Sequence, residues 1–181
     1  MKQIVPSFCS SSLFISLLLA IILCSSPTQS IGQDVLNDMC SKTADPSFCL
    51  QTLKFDPQTV TTDLLGLAGI SIKLAKTTVS ETHTFVKSQL AQTTDPKLKA
   101  QYSQCNDSYD DATGNVDYAN GRLKDGDYGG VSSAASACMD DVSDCEDAIT
   151  GAASSLPQQN KKSNEVCLMT LVIANRLLGK N

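Results

Sequence analysis

The sequence has a single histidine, no tryptophan and few aromatic residues of any kind. Catalysis by a Ser-His-Asp or Cys-His arrangement needs a histidine that moves protons near neutral pH, and His83 is the one candidate. His83 lies in a predicted helix between Thr82 and Thr84, with no nucleophile or orienting partner near it in the sequence. This pattern indicates a surface histidine without a catalytic role, and we predict that the chain has no catalytic residues and is not an enzyme.

Motifs for metals and phosphates are also missing from the sequence. His83 lacks the helical histidine partner of a zinc site, no Cys-x-x-Cys pair occurs, and no calcium loop of EF-hand spacing is present. The glycine-rich stretch 126–130 lacks the Lys-Ser/Thr ending of a phosphate loop and is typical of a turn that ends a helix. The sequence therefore predicts no metal and no cofactor.

Long apolar runs are absent except near the N-terminus. Lys2 followed by the apolar stretch 13–23 is typical of a secretory signal peptide, and this stretch is shorter than the roughly 20 residues that cross a bilayer as a helix. Thr28 and Ser30 fit the small-x-small rule for cleavage, which puts the start of the mature chain near Ile31. We therefore expect residues 1–30 to be a signal peptide and the protein to be secreted.

The mature chain is acidic. Lys2 is the only charged residue of the predicted signal peptide, so its removal changes the net charge from −5 to −6. An acidic surface repels phosphate backbones and anionic lipids, so neither nucleic acid nor membrane is an expected partner. About 151 residues remain after cleavage (181 minus 30), which is enough for one domain with its own core.

The hydrophobic periodicity predicts an all-α fold. Four long segments carry apolar spacings of three and four, and none alternates with a period of two. Asp63 and Asp95 are the predicted N-caps of the first two long helices, and Pro96 suits the first position of the second. The apolar seam of the second helix is the most regular, and its spacing is typical of an antiparallel bundle. The seam consists of Tyr102, Cys105, Tyr109, Ala112, Val116, Ala119 and Leu123.

Two more long helices are predicted after the glycine-rich turn. The third helix includes Val131 near its start, a polar linker covers 151–163, and the fourth helix covers about 164–178. These four helices form a predicted bundle over residues 61–181. Residues 31–60 differ, because two short helical stretches at 34–42 and 46–55 flank a turn and form a hairpin too short to be stable alone.

Eight cysteines occur, and two of them leave with the signal peptide. The six that remain allow fifteen complete pairings in an oxidising compartment. They are Cys40, Cys49, Cys105, Cys138, Cys145 and Cys167. A bridge between Cys138 and Cys145 is excluded, because seven residues of helix separate their Cα atoms by roughly 10 Å. The hairpin turn would bring Cys40 and Cys49 together, and the other pairings stay open at this point.

Aspartates cluster on two of the predicted helices. Asp107 and Asp111 are four residues apart with Asp110 beside them, and no lysine or arginine is interleaved. The third helix carries a second cluster, which consists of Asp140, Asp141, Asp144, Glu146 and Asp147. The pattern suits either a solvated face or a partner of opposite charge. A carboxylate pair for glycoside hydrolysis is disfavoured, because a bundle surface lacks a sugar cleft.

The cysteine framework and its flanking residues resemble the plant invertase and pectin methylesterase inhibitor family. The motifs are CSKTADPSFCL at 40–50, TDPKLKAQYSQCNDSYDDA at 94–112, GDYGGVSSAASACMDDVSDCEDA at 126–148 and VCLMTLVIANRLL at 166–178. The resemblance covers essentially the whole mature chain. It implies an up-and-down four-helix bundle with an N-terminal helical hairpin, stapled by the disulfides Cys40–Cys49 and Cys105–Cys145.

The same resemblance implies a protein partner in the plant cell wall. Members cap the active-site cleft of pectin methylesterase or block acid invertases, and the motif at 166–178 looks like that of the esterase inhibitors. We therefore expect a monomer that binds pectin methylesterase reversibly and one-to-one in the apoplast, with acid invertase as the alternative. The resemblance implies that the partner-binding residues include Asp107, Asp111, Asp144 and Asp147. We add Tyr109 and Glu146, which lie beside them in the sequence.

Departures from the family pattern leave some interpretations open. Gly114 replaces an acidic or larger residue in mid-helix, and Cys138 occupies an alanine position. We favour Cys138 as a small buried core residue and Cys167 as unpaired, with a bridge between them as the alternative. Asn106 begins a formal glycosylation sequon that we expect to be unoccupied inside a helix. Two other functions remain: a bundle that holds a small ligand in a large apolar cavity, and the pro-region of a larger esterase, which an end at Asn181 without a catalytic domain disfavours.

Overall fold

The computed structural model describes residues 30–149 and 155–180, so all of the predicted signal peptide except Ser30 lies outside the described residues. Within these ranges there are six α-helices and one 3₁₀ turn, and no strand occurs, which confirms the predicted all-α class. In chain order the elements are α1 Gln33–Cys40, α2 Pro46–Phe55, the 3₁₀ turn Pro57–Val60, α3 Leu64–Gln92, α4 Pro96–Lys124, α5 Tyr128–Ala148 and α6 Leu156–Leu177. In this part of the chain, no helix is apolar over a length that would cross a bilayer.

Helices α3 to α6 form a four-helix bundle. Each packs against its neighbours in sequence, and α6 closes the ring against α3, so α3 lies diagonal to α5 and α4 diagonal to α6. Residues 93–95 and 125–127 are the short connections before α4 and α5, and α6 begins at Leu156, eight residues after the end of α5 at Ala148. Such short separations make consecutive helices antiparallel. The predicted seam of α4 is confirmed from Tyr102 to Ala119, whose seam side chains are at most 5% exposed.

Aspartate side chains begin three of the bundle helices. The carboxylates of Asp63 and Asp95 accept the N–H groups of Gly66 at 2.8 Å and Leu98 at 2.7 Å, which confirms both predicted N-caps. Asp127 accepts the N–H of Gly130 at 2.8 Å in the same way. This cap starts α5 at Tyr128, three residues before the position that the apolar pattern suggested.

The N-terminal hairpin of α1 and α2 is tied to the bundle by one buried acid. The hairpin is closed by the Cys40–Cys49 disulfide, with a Cα–Cα distance of 5.5 Å. Glu165 of α6 is only 4% exposed, and its carboxylate accepts the backbone N–H of Asp45 in the hairpin turn at 3.0 Å. A buried carboxylate needs such donors, so this contact holds the turn against α6.

The predicted linker 151–163 was too long, because α6 begins at Leu156. Two of the polar residues that suggested a linker, Asn160 and Ser163, are buried and hydrogen-bonded in the bundle. Asn160 accepts the Tyr109 hydroxyl at 2.8 Å, and the hydroxyls of Ser163 and Thr82 lie 3.0 Å apart. Buried polar side chains with partners suit a helix as well as apolar ones do, but hydrophobic periodicity does not detect them.

Three disulfides are present among the described residues. Cys105–Cys145 joins α4 to α5 with a Cα–Cα distance of 4.3 Å, in agreement with the pairing that the family resemblance implies. Cys138–Cys167 joins α5 to α6 with a Cα–Cα distance of 6.2 Å. The favoured interpretation of Cys138 and Cys167 as unpaired was therefore wrong. Both cysteines point into the interior between adjacent antiparallel helices, a proximity that their sequence positions do not determine.

The third disulfide should contribute measurably to stability. Closing a loop of 29 residues in the unfolded chain corresponds to about 3 to 4 kcal/mol in the loop-entropy description. The double variant Cys138→Ala/Cys167→Ala should therefore melt about 10 °C below the parent protein in a calorimetric scan. Alkylation of the unreduced, denatured parent should modify none of the six cysteines of the three disulfides, because none of them is a free thiol. Labelling at Cys138 and Cys167 would contradict the bridge.

Gly130 and Gly114 should respond in opposite ways to alanine. A Cβ on Gly130 would lie 2.5 Å from the Asp127 carboxylate and 2.7 Å from the Arg122 side chain, so the cap or the arginine must move. Gly114 has no atom within 4 Å of such a Cβ. We expect Gly130→Ala to lower the free energy of unfolding by about 1 to 3 kcal/mol and Gly114→Ala to raise it by about 0.5 to 1 kcal/mol. Urea unfolding of both variants measures the difference, and an equal response would contradict the account.

Candidate functional site

Helices α4 and α5 are held in one register by two contacts. The Cys105–Cys145 disulfide fixes them near one end of the pair. Ten residues further along α4, the side-chain amide of Asn115 donates to Asp141 of α5 at 2.8 Å. Since the helices are antiparallel, the acidic stretch of α4 lies alongside the acidic stretch of α5. The two sequence clusters thus meet on one side of the bundle.

The four aspartates implied by the family resemblance are all exposed on this side. We use the name acidic face for this surface. It consists of Asp107, Asp111, Asp140, Asp141, Asp144 and Asp147. Asp111 lies one helical turn before Asn115, which contacts Asp141 at 2.8 Å, so carboxylates of both helices lie close together. The charges of Asp111, Asp140 and Asp144 all act on Asp141.

The pKa of Asp141 is raised above its ordinary value, first by burial and then by the three neighbouring carboxylates. The hydrogen bond from Asn115 acts in the opposite direction and does not cancel these effects. Asp141 lies at the α4–α5 junction, so its charge is shielded from solvent more than the charges around it. At this junction one partly buried carboxylate therefore lies among the exposed carboxylates of both helices.

Helix α5 carries this charge at an unfavourable place. Its second half has five acidic residues, the whole helix has no lysine or arginine, and its last turn has no basic residue. The C-terminal end of a helix is the negative end of its dipole, where carboxylates are destabilising. Repulsion between residues three and four apart adds a few tenths of a kcal/mol per pair. The charge is therefore neutralised neither within the helix nor by the helix dipole.

Two predicted partner-binding residues differ from the rest. Glu146 is exposed, but it follows Met139 and Ser143 at helical spacing, and both of these contact Asn164 of α6. It therefore lies at the α6 edge of the acidic face. Tyr109 is fully buried, its hydroxyl donates to Asn160, and burial raises its pKa to about 12. The prediction that Tyr109 contacts a partner was wrong, because Tyr109 belongs to the apolar seam of α4 and its side chain is buried in the bundle.

His83 was also predicted wrongly as a surface residue. It is 5% exposed, and its ring lies 6.3 Å from the ring of Tyr109. Its Nε2 donates to the side-chain oxygen of Asn106 at 3.2 Å. Position 83 follows Val79 by four residues and precedes Val86 by three, so it continues the apolar stripe of α3 with a polar residue. This contact also engages the side chain of the sequon asparagine.

The sequence patterns did not identify two residues at the acidic face, Asn115 and Tyr118. Asn115 supplies the amide that bridges α4 to α5, and nothing in its spacing marks it as different from other polar residues. Tyr118 is 54% exposed, shares the helical face of Asp111 and Asn115, and lies beneath the Arg122 guanidinium at 5.0 Å from its ring centre. An exposed tyrosine three residues from Asn115 is the signal that could have been noticed, because aromatic residues are enriched in protein interfaces.

In the described ranges, no group of three or more histidine, cysteine or acidic side chains is arranged to hold a metal ion. The void inside the bundle beside Cys138 and Cys167 has a volume of about 10 Å³. A space of this size holds at most one water molecule, so the core here is filled, unlike that of a ligand-storing bundle.

Comparison with known proteins identifies the family. The family model described as plant invertase/pectin methylesterase inhibitor matches residues 34–173. The chain belongs to this family. A pectinesterase inhibitor of Actinidia deliciosa is 38% identical over 180 residues, which cover 96% of this chain and 97% of the relative. The family and its members are named as inhibitors of enzymes, which confirms the prediction that this chain is not itself an enzyme.

Relatives of this chain are named either as inhibitors of pectinesterase or as inhibitors of invertase. A Platanus orientalis protein, provisionally named an invertase inhibitor, is 34% identical over 82% of this chain and 92% of its own length. The crystal structure of a mutant form of a pectin methylesterase inhibitor from Arabidopsis matches with a TM-score of 0.71 and 29% identity, over 77% of this chain and 95% of that structure. Family membership thus fixes the fold and the class of activity.

Neutralising Asp141 should stabilise the protein near neutral pH. Its pKa in the folded state is above that of an unfolded aspartate, so the folded state is penalised when pH rises through this pKa and the carboxylate ionises. Asp141→Asn keeps an oxygen that accepts the Asn115 amide and should raise the melting temperature at pH 7. At a pH of about 3, where the native carboxyl is largely protonated, this gain should disappear.

The control for this prediction is Glu81→Gln on α3, which neutralises an exposed acid away from the acidic face. Its melting temperature should stay close to that of the parent at both pH values. A gain from Asp141→Asn that is equally large in acid, or no gain at pH 7, would contradict the crowding of charge at the α4–α5 junction.

Proposed function

We propose that the protein is an extracellular inhibitor of pectin methylesterase that binds the enzyme reversibly as a one-to-one complex. The observation that carries this proposal is the 38% identity to a pectinesterase inhibitor along 96% of the chain. The bundle fold shared with pectin methylesterase inhibitors of Arabidopsis supports it. In this proposal residues 1–30 direct secretion, and the mature protein acts in the cell wall.

The acidic face is the proposed contact surface for the esterase. Pectin carries carboxylates, so an enzyme that binds this polymer needs polar and basic groups around its substrate groove. The carboxylates of Asp107, Asp111, Asp144 and Asp147 would complement such groups, while α4 and α5 obstruct entry of the polymer. The disulfide Cys105–Cys145 and the Asn115–Asp141 hydrogen bond hold the two helices rigid before binding, which reduces the ordering cost of association.

Tyr118 gives this surface an apolar element beside its charges. Its exposed ring, covered on one side by Arg122, could enter a desolvated part of the interface. The charged residues would mainly increase the association rate and specificity, and a buried aromatic ring would slow dissociation. Inhibition should therefore weaken as ionic strength rises, because exposed charges are screened.

Neutralising the four aspartates together should impair inhibition strongly. In the variant Asp107→Asn/Asp111→Asn/Asp144→Asn/Asp147→Asn, we expect the inhibition constant against pectin methylesterase to rise roughly a hundredfold or more, since four complementary charges are lost. The measurement is the rate of methyl-ester hydrolysis at increasing inhibitor concentration, with circular dichroism to verify the fold.

A second quadruple variant provides a control with the same change in net charge. Asp34→Asn, Asp38→Asn, Glu81→Gln and Asp117→Asn neutralise exposed acids that lie outside the acidic face. Inhibition by this protein should differ little from that of the parent. An equal loss in both variants would mean that net charge, and not this surface, determines binding.

Acid invertase is the second candidate target, because the Platanus relative carries an invertase inhibitor name at 34% identity. Titrating the purified protein against each enzyme separates the two candidates. We expect stoichiometric loss of esterase activity and unchanged sucrose hydrolysis. The reverse result would establish the alternative, and full activity of both enzymes at micromolar protein would refute the inhibitor function.

A further inference from the structure

The side of the bundle opposite the acidic face has a different chemical character. The acidic face lies where α4 meets α5, and the hairpin packs on α6, which is diagonal to α4. Helix α3 contains three lysines and one acid, whereas α5 contains five acids and no basic residue. The protein is therefore electrically asymmetric, although its overall charge is negative.

Two adjoining hollows follow the hairpin helix α2 on this opposite side and share Phe48 as a wall. The first has a volume of about 150 Å³ and is lined by Asp45, Phe48, Gln158, Lys161, Lys162 and Glu165. The second has a volume of about 290 Å³ and is lined by Phe48, Gln51, Thr52, Phe55 and Leu74. Together they form one groove, which we call the hairpin groove.

Exposed aromatic surface occupies one end of the hairpin groove. The side chain of Phe55 is 90% exposed, and Phe48 and Leu74 are partly buried beside it. Phe48, Thr52 and Phe55 follow helical spacing, so they line one face of α2. A phenylalanine this exposed is not explained by the packing of the bundle, because it covers no part of the core.

Cations flank the same groove. Lys161 has a side chain that is 71% exposed and lies 3.8 Å from Asp45, and Lys162 is exposed beside it. At the other end Lys73 is 77% exposed, 3.9 Å from the largely covered carboxylate of Asp56. Glu165 faces the groove but is buried and accepts the Asp45 N–H, so little of its charge is presented to solvent. Asp45 also lines the groove and its side chain is 38% exposed, so three exposed lysines face one partly exposed carboxylate. The balance of exposed charge along the groove is therefore positive.

We propose that the hairpin groove binds an acidic polysaccharide, specifically a chain of uronic acid units such as de-esterified pectin. The apolar C–H faces of sugar rings pack on phenylalanine rings, and the carboxylates pair with lysines at the two ends. The choice of pectin as the polymer rests on the proposed function. The inference that the groove binds an acidic sugar chain rests on the phenylalanine rings and lysines and does not depend on that function. Binding here would retain the inhibitor on the product of the enzyme that it blocks.

The charge asymmetry also fixes the orientation of the bound protein. A polyanion is repelled by the acidic face and attracted only by the groove side. The acidic face would then point away from the polymer and stay accessible to the esterase. Because the mature protein has a net charge of −6, nonspecific attraction to a polyanion does not account for binding.

The test measures binding of the mature protein to polygalacturonate by affinity electrophoresis, with fully methyl-esterified pectin as the uncharged polymer. We expect retardation by polygalacturonate and weaker retardation by the esterified chain. Phe55→Ala combined with Lys161→Gln and Lys162→Gln should weaken binding at least roughly fivefold. Lys97→Gln/Lys99→Gln, which removes two exposed lysines from α4, should leave it within about twofold of the parent.

Several outcomes would overturn this inference. The inference is refuted if polygalacturonate does not retard the protein or if both polymers retard it equally. It is also refuted if the groove variant and the Lys97→Gln/Lys99→Gln control weaken binding to the same extent. Concentration-dependent dimers that Phe55→Ala dissolves would assign the groove to a second copy of the chain instead. Esterase inhibition by the groove variant should equal that of the parent, so a failure of polymer binding with intact inhibition refutes only the groove.

Discussion

The Cys105–Cys145 disulfide brings the backbones of α4 and α5 within 4.3 Å between Cα atoms, and the arrangement of charge on the molecule depends on this approach. Two antiparallel helices joined at one point still have rotational freedom. The Asn115–Asp141 hydrogen bond and the buried seam of α4 remove it. As a result, carboxylates that are far apart in the sequence face solvent on one side, and no basic residue of α5 neutralises them.

The bundle combines a strongly crosslinked interior with a surface on which like charges repel each other. Its interior is tightly stapled, with a third disulfide between α5 and α6 and polar contacts that join Tyr109 to Asn160 and Thr82 to Ser163. Its surface concentrates negative charge at the unfavourable end of α5. A scaffold with additional covalent and polar crosslinks can tolerate that repulsion, and rigidity is also what an inhibitor needs to present a fixed surface. In the proposed mode of inhibition, stability and function are thus connected through the same pair of helices.

Much of the fold followed from patterns that physical rules connect directly to structure. The caps Asp63 and Asp95 and the seam of α4 were predictable, because caps and apolar stripes depend on residues close in sequence. The misjudged residues depend on contacts between helices. His83, Tyr109 and Asn160 are polar residues satisfied inside the core, and Cys138 meets Cys167 only after α5 and α6 pair. The exposed aspartates were predictable as a charged pattern, but Asn115 became visible only through its contact with Asp141.

The most direct test of the account is carboxyl footprinting of the complex with pectin methylesterase. Carbodiimide coupling labels exposed carboxylates, and peptide mass spectrometry reports the extent at each site. The account predicts that binding protects Asp107, Asp111, Asp144 and Asp147 while Asp34 and Glu81 are labelled as in the free protein. Full labelling of the acidic face in a saturated complex, with protection elsewhere, would contradict it.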